Sequence, residues 1–192
     1  MSKTAEKRSY VQALTDAESF RDMFPADSYE SWTFAGSLRR KQPTVGDIEH
    51  VIVPKVGERP VPGTMFGETA SVNLVWHALD EIMSAKPGLL EKHVYGTSVR
   101  WGEKYRGVDF RGFNHELFMA DAKNFGSVLA IRTGPAEFSK DLVTRLWRKR
   151  LYNEGGYVKY RAGGCVYPVA TEQAFFDAAS TDWIEPEKRV VP

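Results

Sequence analysis

The chain has 192 residues, 42% of them hydrophobic and 12% aromatic, enough to fill the core of one domain or two small lobes and too apolar for a disordered or collagen-like chain. No stretch approaches the roughly 18–20 apolar residues of a membrane span, and the polar opening MSKTAEKRSY lacks the apolar segment of a signal peptide, so the sequence reads as an intracellular protein with no membrane partner. The lone cysteine, Cys165, excludes an internal disulfide and a CxxC framework, and 26 basic against 25 acidic residues give a net charge of +1, so a polyanionic partner has to be met by a local basic surface.

Residues 1–14 carry no periodic pattern and read as a flexible N-terminus. Thr15-Asp16-Ala17-Glu18 has the form of a capping box opening a helix with Phe20, Met23 and Phe24 on one face, which Pro25 ends. Residues 31–35 read as a short extended stretch and the apolar run 48–53 as a buried strand stopped by Pro54. The Gly/Pro-rich segment 55–67 reads as a loop; Val72, Val75, Trp76, Leu79, Ile82 and Met83 then follow helical spacing as far as Pro87-Gly88. Residues 104–110 and 113–120 read as strands joined at Arg111-Gly112, and 127–132 as a third. After Thr133-Gly134-Pro135 the pattern changes to a helix over about 137–151, with Phe138, Leu142 and Leu146 facing a core and Trp147 continuing an apolar row between Val143 and Leu151. A hairpin over 157–160 turning through 161–164, and a helix from Thr171 that buries Phe175 and Phe176, complete the chain. The fold class is α/β (α+β): a mixed sheet with flanking helices over 15–134, then a small helical and hairpin lobe over 135–192.

The most informative stretch runs from Gly36 to Glu49. Asp47 and Glu49 stand two apart at the start of an apolar strand, so alternation turns both carboxylates to one face, where they can share hard divalent cations through oxygen. Ser37 and the backbone amides of the Gly36 and Gly46 turns can donate to phosphate oxygens, and Arg40 adds a charge-assisted contact. A metal grip and a phosphate grip thus fall within one short segment.

Taken together, Gly36-Ser37-Leu38-Arg39-Arg40 and Gly46-Asp47-Ile48-Glu49 resemble the palm signature of the nucleotidyltransferases, most closely the X family of DNA polymerases in its minimal palm-plus-thumb form. Further along, His115-Glu116-Leu117-Phe118 stands where that family carries a third carboxylate, and Thr133-Gly134-Pro135 follows Glu116 at the family's interval of seventeen residues. The closing Pro168-Val169-Ala170-Thr171-Glu172 and Pro186-Glu187-Lys188-Arg189 also look like the family's ending. Asp109, in Val108-Asp109-Phe110-Arg111, is the rival third acid: its local text is closer to the family strand, but it lies twenty-four residues before Thr133.

The resemblance implies a DNA-directed DNA polymerase that adds deoxynucleotides to a 3′-hydroxyl at short gaps or ends in DNA repair. Asp47, Glu49 and Glu116 would hold two Mg2+ ions, with Mn2+ as a substitute favoured by glutamate at two of the three positions. Gly36, Ser37, Arg40, Gly46, Arg132, Thr133, Gly134 and Ser139 would line the nucleotide, and DNA and dNTP would be the partners of a monomer. Nothing corresponds to the lyase domain of larger relatives, so no lyase activity is expected, and Ile131-Arg132 replaces an aromatic pair, which leaves sugar selectivity open. His50 and His115, where apolar residues are usual, read either as satisfied core histidines or as neighbours touching across adjacent strands. Lys140, Arg145, Arg148 and Lys149 lie in a segment with a local excess of positive charge, which reads either as a DNA-binding surface or as a solvated helix face. Two further functions are compatible with these residues: a template-independent nucleotidyltransferase acting on a nucleic-acid end, small molecule or protein, and a DNA-end-binding protein with an impaired metal site.

Overall fold

Ser9 and Gln12, rather than Thr15 and Glu18, form the capping box of the first helix. The Ser9 hydroxyl accepts from the Gln12 amide at 3.4 Å, and Gln12 Oε1 accepts from the Ser9 amide at 3.2 Å. Both pairs satisfy the same sequence pattern, but the earlier one is anchored: β1 (Arg8–Ser9) pairs with β3 (Thr44–Val45), and α1 (Tyr10–Arg21) buries Ala13, Ala17 and Phe20. Thr15 lies mid-helix, its hydroxyl donating to the Val11 carbonyl one turn back at 3.0 Å. Residues 8–14 are therefore part of the fold, not a flexible arm. The computed structural model describes residues 7–60 and 68–190, so 1–6 of the expected arm, and 61–67 of the expected loop, lie outside the described residues.

The centre of the molecule is a five-stranded mixed sheet in the order β2 (Tyr29–Phe34), β4 (Ile48–Pro54), β11 (Phe113–Met119), β10 (Tyr105–Phe110) and β7 (Leu90–Lys92). The β4–β11 pairing is parallel and the others are antiparallel. Between them come α2 (Gly36–Arg39), the ribbon of β5 (Val56–Pro60) and β6 (Thr69–Asn73), α3 (Leu74–Ala85), and a small turn of β8 (Val94–Tyr95) with β9 (Ser98–Val99). The ribbon corrects the expected loop over 55–67, and it carries Val72, which the helical spacing had included. Asn73 caps α3, its Oδ1 accepting from the amides of Val75 and Trp76. Arg111 and Gly112, at φ +53° and +72°, make the tight turn between β10 and β11 that the sequence predicts.

Strand alternation divides the sheet into two faces. Ile52, Val108, Phe110 and Leu117 pack under α1 and α3 with Phe20, Trp76 and Leu79, whereas Val51, Val53 and Phe118 pack against Val128 and Leu129. Those last two residues belong to α4 (Phe125–Thr133), which the sequence reads as a strand over 127–132. The cause of the misreading is burial on all sides: Gly126 through Ala130 are all buried, and a short continuous apolar run carries no period to separate helix from strand. α4 is wrapped in this way because it serves two cores. Val128 and Leu129 belong to the sheet, and Ala130 belongs to a second cluster with Phe138, Leu142, Leu146, Leu151, Phe175 and Phe176.

That second cluster is built from α5 (Ala136–Arg145), the hairpin of β12 (Leu151–Glu154) and β13 (Tyr157–Tyr160), and α6 (Glu172–Ala178), capped by the Thr171 hydroxyl. The expected helix over 137–151 is shorter. Past Arg145 the chain tightens into a 3-10 turn over Leu146–Lys149, and the larger rotation per residue carries Trp147 off the Val143 row. Trp147 is 60% exposed, with the Arg161 guanidinium over its ring at 3.1 Å from the centroid, a correction to its expected place in the core. The hairpin turns at Gly155-Gly156, and the expected turn over 161–164 follows it, returning Cys165 and Tyr167 alongside β13. Among the described residues no helix is long and apolar enough to cross a membrane.

Candidate functional site

The parallel pairing of β4 with β11 sets Glu116 directly opposite Glu49, both on the face that α4 covers further along. Asp47 lies two residues before Glu49 on the approach to β4. Gly36, at φ +60°, opens α2 with its Cα against Glu49, and a Cβ there would collide with Glu49 Oε2. Arg40 reaches the same space from the end of α2, donating from Nη1 to the Thr133 carbonyl at 2.5 Å. The structure thus brings Asp47, Glu49, Glu116, Gly36, Arg40 and Thr133 to one end of the sheet. Gly134, Ser139, Lys140 and Arg132 line an adjoining hollow with Glu49.

The electrostatics of these acids are unbalanced. Burial, and then repulsion from Glu116, raises the Asp47 carboxyl above its ordinary value, with Arg40 and His93 opposing. Burial, and then repulsion from Asp47, raises Glu49 to about 8, against the pull of Arg132 and Arg40. Burial in turn lowers Arg40, although both acids favour its charged form. Carboxyls whose charged form is disfavoured in this way lack positive charge around them, and a pair of oxygen donors on one face is a suitable donor set for a hard divalent cation. To that extent Asp47 and Glu49 fit Mg2+ or Mn2+.

The third acid is otherwise engaged. Glu116 Oε1 accepts from the Tyr95 hydroxyl at 2.8 Å, the Tyr105 hydroxyl at 3.0 Å and Asn114 Nδ2 at 3.4 Å, and the two phenol oxygens also lie against each other. Among the described residues no three His, Cys, Asp or Glu side chains form a ready cluster for a metal ion. Of the donors to Glu116, Asn114 and Tyr105 share its face by strand alternation. Tyr95 arrives from the β8–β9 turn, and it can lie across β10 because Gly107 has no side chain: a Cβ there would sit 2.6 Å from the Tyr95 hydroxyl. A glycine inside a strand is the sequence signal for such a close approach. The rival, Asp109, stands one strand further out, opposite Asn114 and Glu91, and its Oδ1 pairs with His93 Nδ1 at 2.6 Å.

Ser139 is buried and donates from its hydroxyl to the Ile131 carbonyl at 2.7 Å, so it ties α5 to α4 instead of pointing an open hydroxyl at a ligand. Ser37 and Gly46 stand partly exposed beside the acids. Of the cations in the lobe after Thr133, Arg145 pairs with Asp141 at 2.7 Å and Lys149 donates to the Asp177 carbonyl at 2.5 Å, whereas Arg148 is exposed and Lys140, also exposed, lies 4.0 Å from Glu137. On the opposite face of the sheet His50 and His115 touch, as one of the two sequence readings allows: Trp32 Nε1 donates to His50 Nδ1 at 2.9 Å, and His50 Nε2 meets His115 Nδ1 at 3.0 Å. Trp32 donation requires the His50 proton on Nε2, which then bonds to His115 Nδ1.

Sequence reasoning missed a buried network behind the site. Glu172 is gripped by Arg39 through both guanidinium nitrogens, at 2.7 and 2.6 Å, and by Arg189 at 2.8 Å, and Arg39 also donates to the Thr133 hydroxyl at 2.7 Å. Arg39 and Glu172 are 133 residues apart, too far for any local pattern to connect them. No protein-family model matches this chain, and no curated protein matches it in sequence.

Proposed function

We propose that the chain is a nucleotidyltransferase of the DNA-polymerase type, with the sheet lobe as palm and the lobe after Thr133 as thumb. The observation that carries this reading is register: Glu49 and Glu116 face each other across the parallel strands, with Asp47 beside them and both Asp47 and Glu49 destabilised as anions. Divalent cations bound there would supply the charge that activates a 3′-hydroxyl and stabilises the reacting phosphates. Asp47 and Glu49 would hold them, with Glu116 completing the set after its carboxylate leaves the Tyr95 and Tyr105 hydroxyls. Arg40 would receive phosphate oxygens, with Ser37 and the Gly46 amide beside it. The Thr133-Gly134 turn, already tied to both Arg39 and Arg40, would border the sugar, and Lys140 and Arg148 would meet DNA phosphates.

The test is extension of a primer on gapped, blunt and single-stranded DNA in Mg2+ and in Mn2+. The expected outcome is incorporation on gapped substrate that falls at least a hundredfold in Asp47→Asn while the circular dichroism spectrum is unchanged. Incorporation that survives Asp47→Asn defeats the assignment of the acids, and extension without a template strand reassigns the acceptor. One observation favours a second reading, a DNA-end-binding protein whose site does not turn over: Glu116 Oε1 already accepts three hydrogen bonds from neutral groups. That reading expects DNA binding retained in Asp47→Asn and no incorporation by the wild type in either metal.

A further inference from the structure

A cleft of about 330 Å3 lies on the other side of Arg132 from Glu49, between the end of the sheet and the β12–β13 turn. Three cations line it: Arg100, Lys104 and Arg132. Among the described residues none of them forms an ion pair with a carboxylate. Each rests instead on an aromatic ring. The Arg100 guanidinium lies 4.7 Å from the Tyr95 centroid, Lys104 Nζ 5.3 Å from that of Tyr157, and the Arg132 guanidinium 3.8 Å from that of Phe118. Glu116 is the one acid in the lining, and its Oε1 is already taken up by hydrogen bonds. Asn153, also in the lining, has its Nδ2 buried with no partner.

Like charges gathered in one concavity repel unless an anion shares it, and laying each cation on a ring face holds the three in place without neutralising them. The volume is that of a small ligand pocket, enough for a sugar and a phosphate. We propose that this cleft is a phosphate-ester site, separate from the Ser37 and Arg40 grip, that takes a sugar-phosphate unit of a nucleic-acid strand or of a free nucleotide. It binds through charge and stacking, needs no metal, and stands whether or not the acids of the candidate site support catalysis.

The experiment measures binding in EDTA of two probes, a fluorescein-labelled ten-nucleotide oligothymidylate by anisotropy and ATP by calorimetry. The proteins are the wild type, Arg100→Gln/Lys104→Gln, the charge-keeping Arg100→Lys/Lys104→Arg, and Lys55→Gln/Arg59→Gln, which removes two exposed charges at and just before β5. The glutamine variant at the cleft is expected to lose at least tenfold in affinity for one or both probes. For the oligonucleotide, its slope of log affinity against log salt should flatten by about 1.4, at roughly 0.7 per phosphate contact. The charge-keeping and β5 variants should stay within threefold of wild type. Loss for the oligonucleotide alone assigns the cleft to a strand, loss for ATP alone to a free nucleotide, and loss for both to the phosphate they share. A loss no larger than that of the β5 variant for both probes, or one that the charge-keeping variant shares, overturns the proposal.

Discussion

Two sets of carboxylates in this protein, one buried and one half-buried, are treated in opposite ways. At Glu172, burial pushes the carboxyl up, but hydrogen bonds and charge from Arg39 and Arg189 outweigh it and leave the group below its ordinary value. At Asp47 and Glu49, burial and mutual repulsion win over Arg40 and Arg132, and both carboxyls are raised. Arginines stand near both groups, so the difference lies in their geometry. At Glu172 a guanidinium makes two parallel hydrogen bonds to the carboxylate, whereas Arg40 spends a donor on the Thr133 carbonyl and Arg132 lies over a phenyl ring. A matched carboxylate joins parts of the fold, whereas an unmatched one is ready to receive charge from outside.

The contrast is sharpest in stability. Glu172→Gln leaves the buried guanidinium of Arg189 and the part-buried one of Arg39 without their counterion, and the expected loss is about 3–5 kcal/mol, seen in a thermal melt as a fall of roughly 10 °C. A fall of only a degree or two would mean that water takes the place of the carboxylate.

A second test concerns groups kept neutral by burial alone. His50 is held well below its ordinary pKa by burial and then by His115, and burial lowers His115 to about 3. Both are neutral in the fold, and above about pH 6.5 they are neutral in the unfolded chain as well, so they give no pH dependence there. Below that, the unfolded chain takes up protons and the folded chain does not, so stability falls as pH drops from 6.5 towards 3, by at most about 1.4 kcal/mol per pH unit for each histidine. Glu49, raised to about 8, contributes in the opposite sense over this range, so the histidines are read as a difference: between pH 7 and pH 5 the urea midpoint should fall more steeply in the wild type than in His50→Leu/His115→Leu, whatever that variant's overall stability. An unchanged slope would place the acid sensitivity elsewhere.

The smallest effect has the opposite sign. Asp47→Asn removes a charge that its surroundings disfavour, so in EDTA at pH 8 the variant should unfold at a slightly higher urea concentration than wild type. A lower midpoint would show that Asp47 is as well matched as Glu172 and would remove the contrast between them.

How much of this was legible in the sequence follows from the range of each interaction. The β10–β11 hairpin was readable because Arg111-Gly112 and strict alternation are local, and alternation alone put Asp47 and Glu49 on one face. The start of α1 was ambiguous, since two capping patterns lie six residues apart and only the tertiary anchor of β1 on β3 chooses between them. α4 was misread because it belongs to two cores, which bury Gly126 through Ala130 in succession and leave no period there. The Tyr95 hydroxyl on Glu116 and the arginines on Glu172 arrive from outside the hairpin and from other segments of the chain, and of these contacts only the first left a trace in the sequence, as Gly107 inside a strand.

The single parallel pairing described in the sheet also bears on the order of assembly. Glu49 and Glu116 are partners sixty-seven positions apart in the chain, while β10 and β11 close through a two-residue turn. Loop-closure entropy favours the local hairpin first and makes the long-range pairing slow. The two acids therefore meet late, after most of the surrounding apolar surface has been buried, and their repulsion weighs on the completed fold more than on the route to it.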